Sequence, residues 1–119
     1  MRRYIDKDYA TLVRWHKKWG QVAPDKAHLP EIGYVLEGKA MGFLYQTDGT
    51  FAFVEEIIRN PDTKEGVSEV IEALTSTARE LGFSLVIGFT KVKKMTERVE
   101  TLGFMQLPGD YTGVVRRIR

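Results

Sequence analysis

The pattern of apolar and polar positions divides the chain into short helical and strand-like segments. Apolar side chains recur at helical spacing between residues 9 and 19 and again between residues 64 and 81, and a glycine follows each series. Such amphipathic series are typical of helices that pack one face against the rest of a domain. We therefore predict two helices, which end at Gly20 and Gly82 because glycine is favoured just after a helix.

Three segments between these helices have the composition of strands. Residues 32–37, 40–46 and 51–59 are rich in β-branched and aromatic side chains, and turn residues separate them. The Asp48-Gly49 pair between the last two segments is the strongest short signal for a hairpin. Residues 51–59 are apolar almost throughout, which is typical of a central strand covered on both faces. The pattern predicts three consecutive antiparallel strands.

A fourth strand, residues 83–90, follows the second helix with no tight turn before it. A strand, a helix and a further strand in this order predict a parallel, right-handed crossover. A short helix over residues 93–102 and two short strands, 104–107 and 113–118, complete the order. The predicted fold class is therefore α/β, or α+β, with a mixed central sheet flanked by helices.

The length, composition and charge of the chain exclude several classes of protein. The chain has 119 residues, which fits a single domain spanning 1–119. Cysteine is absent, which excludes disulfides and thiolate metal sites and leads us to expect a cytoplasmic protein. Neither a signal peptide nor a membrane span is expected, because no apolar run reaches the roughly 18 residues that a span needs. A net charge of +2 does not by itself imply a nucleic-acid partner.

Three segments resemble, in order, motifs of the GNAT superfamily of N-acetyltransferases. Residues 55–61 resemble the central strand and its following proline, residues 73–83 resemble the end of the cofactor helix, and residues 97–104 resemble the ending written Y-E-K-L-G-F. The N-terminal half is also similar to small GNAT-like proteins of tailed-phage genomes. The resemblance implies the GNAT acyl-CoA N-acyltransferase fold, with acetyl-CoA as co-substrate and a small-molecule or protein amine as acceptor.

The resemblance also implies a cofactor site, because family members bind acetyl-CoA where the sheet splays. The central-strand backbone pairs with the pantetheine arm, and a glycine-rich loop at a helix N-terminus binds the pyrophosphate. Carried over by position, the site residues are Ile57, Ile58, Arg59, Lys64, Glu65, Gly66, Val67 and Ser68. This loop departs from the family pattern, since it has one glycine and its glutamate adds negative charge beside an anion site. The alternative is an ordinary helix start that needs no ligand.

Two further positions are expected near the cofactor. Thr90 stands where the family often has an asparagine that contacts it. Lys93 belongs to a basic run over residues 91–98 that suits the 3′-phosphate of CoA. The alternative for this run is a solvated face.

Candidate catalytic residues follow from the chemistry of acyl transfer to an amine, which needs a base. Glu55 and Glu56 lie on the central strand, and the period of two predicts that they point to opposite faces of the sheet. In the family a glutamate on this strand is often the base, and Glu55 is the preferred candidate. Val99 occupies the position of the tyrosine that many members use as general acid, so Tyr111 is the substitute candidate. The alternative is that one glutamate forms an ion pair with a lysine or arginine and the other lies at a solvated edge.

The first helix carries the candidates for binding the acceptor. Trp15 and Trp19 lie four residues apart and so share one helix face. They are either an acceptor-binding pair or part of the core. His16 has no partner at ligand spacing, and no metal site is expected. A homodimer is plausible for a small member of this fold.

The preferred function is an acetyl-CoA-dependent N-acetyltransferase that transfers directly, with Glu55 as base. A second hypothesis is a GNAT-fold binding module that has lost its chemistry, which the single-glycine loop and Val99 favour. A third is a phage-related protein acting on or near nucleic acid, which the Arg2-Arg3 start and the basic C-terminal end favour.

Overall fold

The computed structural model describes residues 1–88 and 100–105 of the chain. Within them the elements are β1 (Arg2–Arg3), α1 (Tyr9–Lys18), β2 (Ile32–Leu36), β3 (Ala40–Gln46), β4 (Phe51–Arg59), α2 (Val67–Glu80) and β5 (Leu85–Ile87). Two short 3-10 turns, Asp6–Asp8 and Lys26–His28, precede α1 and β2.

The five strands form one mixed sheet in the order β1-β2-β3-β4-β5. Neighbours pair antiparallel from β1 to β4, whereas β5 runs parallel to β4. The chain passes through α2 between these two parallel strands. The predicted strand–helix–strand crossover is therefore confirmed, and β4 lies next to the point where the sheet changes from antiparallel to parallel.

Each face of the sheet buries its own cluster of apolar side chains. On one face α2 supplies Val67, Val70, Ile71, Leu74 and Ala78, which pack with Ala52 and Val54 of β4. On the other face α1 supplies Leu12 and Trp15, which pack with Val35, Met41, Phe43 and Ile58. Both helices thus present one apolar face to the sheet, as their periodicity predicts.

The strand bounds agree closely with the sequence pattern where the pattern is long. The segments 40–46 and 51–59 are observed as predicted, whereas β5 is shorter than the predicted 83–90. The pattern missed β1, because two residues are too few to show a period. Of the last predicted elements, Glu100 is helical and residues 104 and 105 are not in a strand. The rest of those elements lies outside the described residues.

A salt-bridge network attaches β1 to the start of α1. Asp8 is buried, and its two carboxylate oxygens accept hydrogen bonds of 2.7 and 2.8 Å from the Arg2 guanidinium. The Ile5 backbone N–H donates to the same carboxylate. Hydrogen bonding from Arg2 lowers the pKa of Asp8 even though burial opposes that shift. The network therefore stabilises the ionised carboxylate at the N-terminal edge of the fold.

No helix within residues 1–88 and 100–105 has the length and apolarity needed to cross a membrane.

Candidate active site

A β-bulge interrupts the central strand where the carboxylates begin. Phe43 of β3 pairs with Glu55, and Met41 pairs with Ile58, so one residue of β3 faces two residues of β4 between these pairs. Glu56 is the inserted residue, with a φ of 56° in the left-handed region. A bulge adds one residue to one strand and turns the side chains that follow it. The bulge therefore separates two differently oriented halves of β4.

The bulge changes which way the two glutamates point. Strict alternation predicts that Glu55 and Glu56 lie on opposite faces of the sheet. Instead both side chains line one cleft, because the left-handed backbone at Glu56 breaks the period of two. The prediction of opposite faces is thus wrong at this point, and the two carboxylates share one site.

The cleft has a volume of about 450 Å³ and is open to solvent. Its floor is formed by four residues of β3 and β4, namely Tyr45, Phe53, Glu55 and Glu56. Its wall is formed by three residues of the segment between α1 and β2, namely Pro24, Asp25 and His28. The Tyr9 hydroxyl of α1 donates a hydrogen bond of 2.9 Å to the Pro24 carbonyl oxygen, which fixes the wall against the helix.

The charge of the cleft is negative. Its described lining includes three carboxylates, Asp25, Glu55 and Glu56, and neither lysine nor arginine. Burial, with a further contribution from Glu56 and Glu55, raises the pKa of Tyr45 to about 12. The phenol therefore stays neutral at physiological pH, and the cleft combines negative charge with neutral aromatic surface.

The cleft lies close to where the parallel ladder ends. Among the described residues, β5 pairs with β4 only from Phe51 to Phe53, where the partner is Ile87. Gly88 then follows beside the Val54 carbonyl oxygen, 3.3 Å from the position that a Cβ atom would occupy. The bulged half of β4 is paired with β3 alone within this part of the chain.

The loop from β4 to α2 is held against the turn between β2 and β3. The Asn60 side-chain amide donates to the Gly38 carbonyl oxygen at 2.9 Å, and Lys39 pairs with the Glu65 carboxylate at 2.9 Å. Hydrogen bonding to Glu65 raises the pKa of Lys39. The carboxylate that the sequence places beside an anion site is therefore partly neutralised by a lysine from another turn.

Gly66 begins α2 with a φ of 111°, which an L side chain rarely adopts. A Cβ atom at this position would lie 2.8 Å from the Cβ atom of Lys39 and 3.1 Å from that of Ala40. The glycine is thus required both by its backbone conformation and by close packing. The backbone N–H groups that follow it, those of Val67 and Ser68, belong to the first turn of α2, where no intrahelical acceptor exists.

The two tryptophans do not line the cleft. Trp15 is only 3% exposed and belongs to the core between α1 and the sheet, so the prediction that it binds the acceptor is corrected. The Trp19 indole N–H donates to the Arg59 carbonyl oxygen at 2.7 Å, and the Arg59 guanidinium lies 5.1 Å from the centre of the indole ring. These contacts make Trp19 an anchor between α1 and the end of β4.

The remaining predicted positions divide into described and undescribed groups. Ile57 packs against the α2 face, and Ile58 is buried on the α1 face, so their backbones rather than their side chains are candidates for ligand contact. Lys64 is exposed at the loop. Thr90, Lys93, Val99 and Tyr111 lie outside the described residues. The basic run over residues 91–98 and the basic C-terminal end also lie outside the described residues, whereas Arg2 forms ion pairs with Asp8 and Glu37.

The sequence interpretation missed five lining residues, namely Pro24, Asp25, His28, Tyr45 and Phe53. Two of them, Tyr45 and Phe53, could have been found from the Asp48-Gly49 turn, because the register of that hairpin pairs these two residues. The sequence did not indicate the three wall residues, because they are far in sequence from the strand residues with which they line the cleft. No cluster of three or more potential metal ligands occurs in the described part of the chain.

The sequence matches no protein-family model and no curated protein. Two solved structures are similar to the whole fold. An acetyltransferase of Trypanosoma brucei is 12% identical, with a TM-score of 0.70 over 96% of this chain and 97% of that one. A protein of Agrobacterium tumefaciens strain C58, provisionally assigned as an acetyltransferase, is 14% identical, with a TM-score of 0.71 over 98% of each chain. The chain therefore has the GNAT fold. The cleft described above lies on β4 of its mixed sheet.

Proposed function

We propose that this chain is an N-acetyltransferase that transfers an acetyl group from acetyl-CoA to an amine. The observation that carries the proposal is the placement of two carboxylates, Glu55 and Glu56, at a bulge of the central strand inside an open cleft. An amine enters such a site as its ammonium form and needs a base before it can act as a nucleophile. A carboxylate in a cleft without lysine or arginine among its described lining supplies that base.

In this mechanism Glu55 accepts the proton, directly or through a water molecule. The nitrogen–hydrogen bond breaks, the carboxylate gains the proton, and the nitrogen lone pair becomes available for attack. Glu56 lies beside it on the same cleft and adds negative potential that holds the ammonium group. The chain has no cysteine to act as a covalent relay, so transfer is direct and depends chiefly on positioning. The carbon–nitrogen bond of the amide forms, the carbon–sulfur bond of the thioester breaks, and CoA leaves as a thiolate that takes up a proton from solvent.

The described residues fit acetyl-CoA at two places. At Ile57 and Ile58, β4 pairs with β3 and with no other strand among the described residues, and this part of its backbone would hold the pantetheine arm. The first turn of α2, at Val67 and Ser68, offers backbone N–H groups and the positive end of the helix dipole to the pyrophosphate. When bound, acetyl-CoA supplies the activated acetyl group as a thioester.

A second candidate function is a GNAT-fold binding module without catalysis. The observation that favours it is the close packing of Gly66 on Lys39, together with the Lys39–Glu65 ion pair. Both contacts explain the loop without any ligand. This hypothesis and the enzyme hypothesis differ in whether acetyl-CoA binds and whether it turns over.

Thermal unfolding with and without acetyl-CoA separates the two hypotheses. A ligand at 100 times its dissociation constant stabilises the folded state by about 2.7 kcal/mol, which raises the midpoint of unfolding by several degrees. The same sample is then incubated with a panel of primary amines, and free thiol release is measured. Stabilisation and thiol release support the enzyme. Stabilisation without release for any amine supports the binding module, and no stabilisation by any acyl-CoA contradicts the acetyl-CoA proposal.

A further inference from the structure

Tyr45 lies on the cleft floor next to the proposed base, although the mechanism above gives it no role. On β3 it stands two residues from Phe43, which pairs with Glu55, and it pairs with Phe53 itself. Side chains two residues apart on a strand share a face, so Tyr45 and Glu55 are diagonal neighbours across the β3–β4 pair. The Cα atoms of such diagonal neighbours are about 7–8 Å apart across the strand pair, which is within reach of an aromatic side chain.

We propose that Tyr45 determines acceptor specificity by placing its ring against the ammonium group of the acceptor, beside Glu55. The inference rests on the proposed function, since it concerns the acceptor site of that reaction. The acceptor that this site would bind is a protonated primary alkylamine without a carboxylate close to the amine. Phe53 extends the same surface with a second ring, which suits the hydrocarbon chain of such an amine.

The electrostatics of the cleft support a cation rather than an anion at this ring. The Tyr45 phenol is neutral at physiological pH, as an ordinary tyrosine is, and burial with the two glutamates raises its pKa further, so the ring presents an uncharged π face. A cation is attracted both to such a face and to carboxylates, whereas an acceptor that carries its own carboxylate is repelled by Asp25, Glu55 and Glu56. Tyr45 thus selects the charge of the acceptor, while Glu55 removes its proton.

The test measures binding of hexylamine and of hexan-1-ol by calorimetry in the presence of saturating CoA, which permits no transfer. Hexylamine should bind and the uncharged alcohol should not. Tyr45→Leu, which removes the ring, should weaken hexylamine binding by about tenfold. Tyr45→Phe, which keeps the ring and removes only the hydroxyl, should change it by less than about threefold. In turnover assays the same order should appear in KM rather than in kcat.

Tyr34→Leu is the matched control, because Tyr34 is a half-buried strand tyrosine that packs on the α2 face instead. It should leave hexylamine binding unchanged, and thermal unfolding with CoA shows whether each variant is folded. Unchanged hexylamine binding in Tyr45→Leu overturns the inference, and so does equal loss in Tyr45→Phe, which would assign the role to the hydroxyl. If the wild-type chain binds neither CoA nor acetyl-CoA, the proposed function itself fails, whereas normal CoA binding with an unaffected Tyr45→Leu variant removes only this inference.

Discussion

The two halves of the central strand differ in almost every physical respect. The first half pairs with a strand on each side at Ala52 and Phe53, and its alternate residues Ala52 and Val54 are buried. The second half begins at Glu55, contains a left-handed residue and, among the described residues, pairs on one side only. One strand thus provides both a closed core and an open chemical site, and the bulge is the boundary between them.

This contrast teaches that a short interruption of regular pairing is enough to create a site. A regular strand would satisfy its backbone groups on both edges and send its side chains to alternate faces. The bulge at Glu56 brings two neighbouring carboxylates to one cleft, and within residues 1–88 and 100–105 the ladder to β5 extends to Phe53.

A carboxylate moved by one residue into the first half should be strongly destabilising. Val54 is 5% exposed in the core beneath α2, so Val54→Asp would bury a charge with no partner among those apolar side chains. We expect a loss of about 3–5 kcal/mol in the free energy of unfolding, measured by urea denaturation. Glu55→Asp is the control, since it keeps a carboxylate in the second half and should cost about 1 kcal/mol or less. Equal losses would show that the two halves are not distinct environments.

The position opposite the bulge should tolerate no side chain. A Cβ atom at Gly42 would lie 2.3 Å from the Cδ1 atom of Ile57 and 3.1 Å from a methyl carbon of Val70. We expect Gly42→Ala to cost about 1–3 kcal/mol, because overfilling a packed core forces its side chains or strands apart. Gly49→Ala at the hairpin turn is the control and should cost less, since a Cβ atom there would come no closer than 3.3 Å to the Phe51 ring, which needs only a small shift to make room. A Gly42→Ala variant as stable as the wild type would mean that the bulge is not packed as described.

The buried Asp8 carboxylate stabilises the fold and has no place in the cleft. Its pKa is lowered in the folded state, so its contribution is complete above the unfolded value of about 3.9 and is lost as pH falls through the folded pKa. Asp8→Asn should remove about 1–3 kcal/mol at pH 7 and flatten the acid limb of the stability profile. Glu37→Gln changes an exposed ion pair and should cost less than about 1 kcal/mol. If Asp8→Asn retained the full acid limb, other carboxylates would be responsible for it.

The bulge itself should discriminate between side chains at Glu56. A β-branched residue is disfavoured at positive φ, so Glu56→Val should lose about 1–2 kcal/mol of stability. Glu56→Gly relieves the same strain and should be close to neutral, since gained backbone freedom in the unfolded chain offsets the relief. The difference between the two variants in thermal unfolding is the measure of backbone strain, and identical midpoints would argue against a left-handed residue.

The fold could be predicted from sequence wherever an element is long enough to show its period. The residues 40–46 and 51–59 were predicted at their observed bounds, because the hydrophobic pattern and the Asp48-Gly49 turn agree. The arrangement of the site could not be predicted in the same way, because it depends on a β-bulge. The two-residue period of a regular strand does not indicate where a bulge occurs. Nothing in the residues Glu55 and Glu56 themselves indicates the left-handed backbone at Glu56.

The tryptophans illustrate the same difficulty. Helical spacing places Trp15 and Trp19 on one face of α1 but does not say what that face contacts. The sheet covers Trp15 completely, while Trp19 reaches the last carbonyl group of β4. The wall of the cleft came instead from the segment between α1 and β2, whose contacts form only when the tertiary structure is complete.

The most direct test of the central claim compares wild-type protein with Glu55→Gln in two measurements on the same samples. We expect both proteins to be stabilised equally by acetyl-CoA, because the glutamate acts on the acceptor and not on the cofactor. We expect the rate of amine acetylation to fall by about 100-fold or more in the variant, as the loss of a general base requires. Undiminished acetylation by Glu55→Gln would contradict the assignment of this carboxylate as the base.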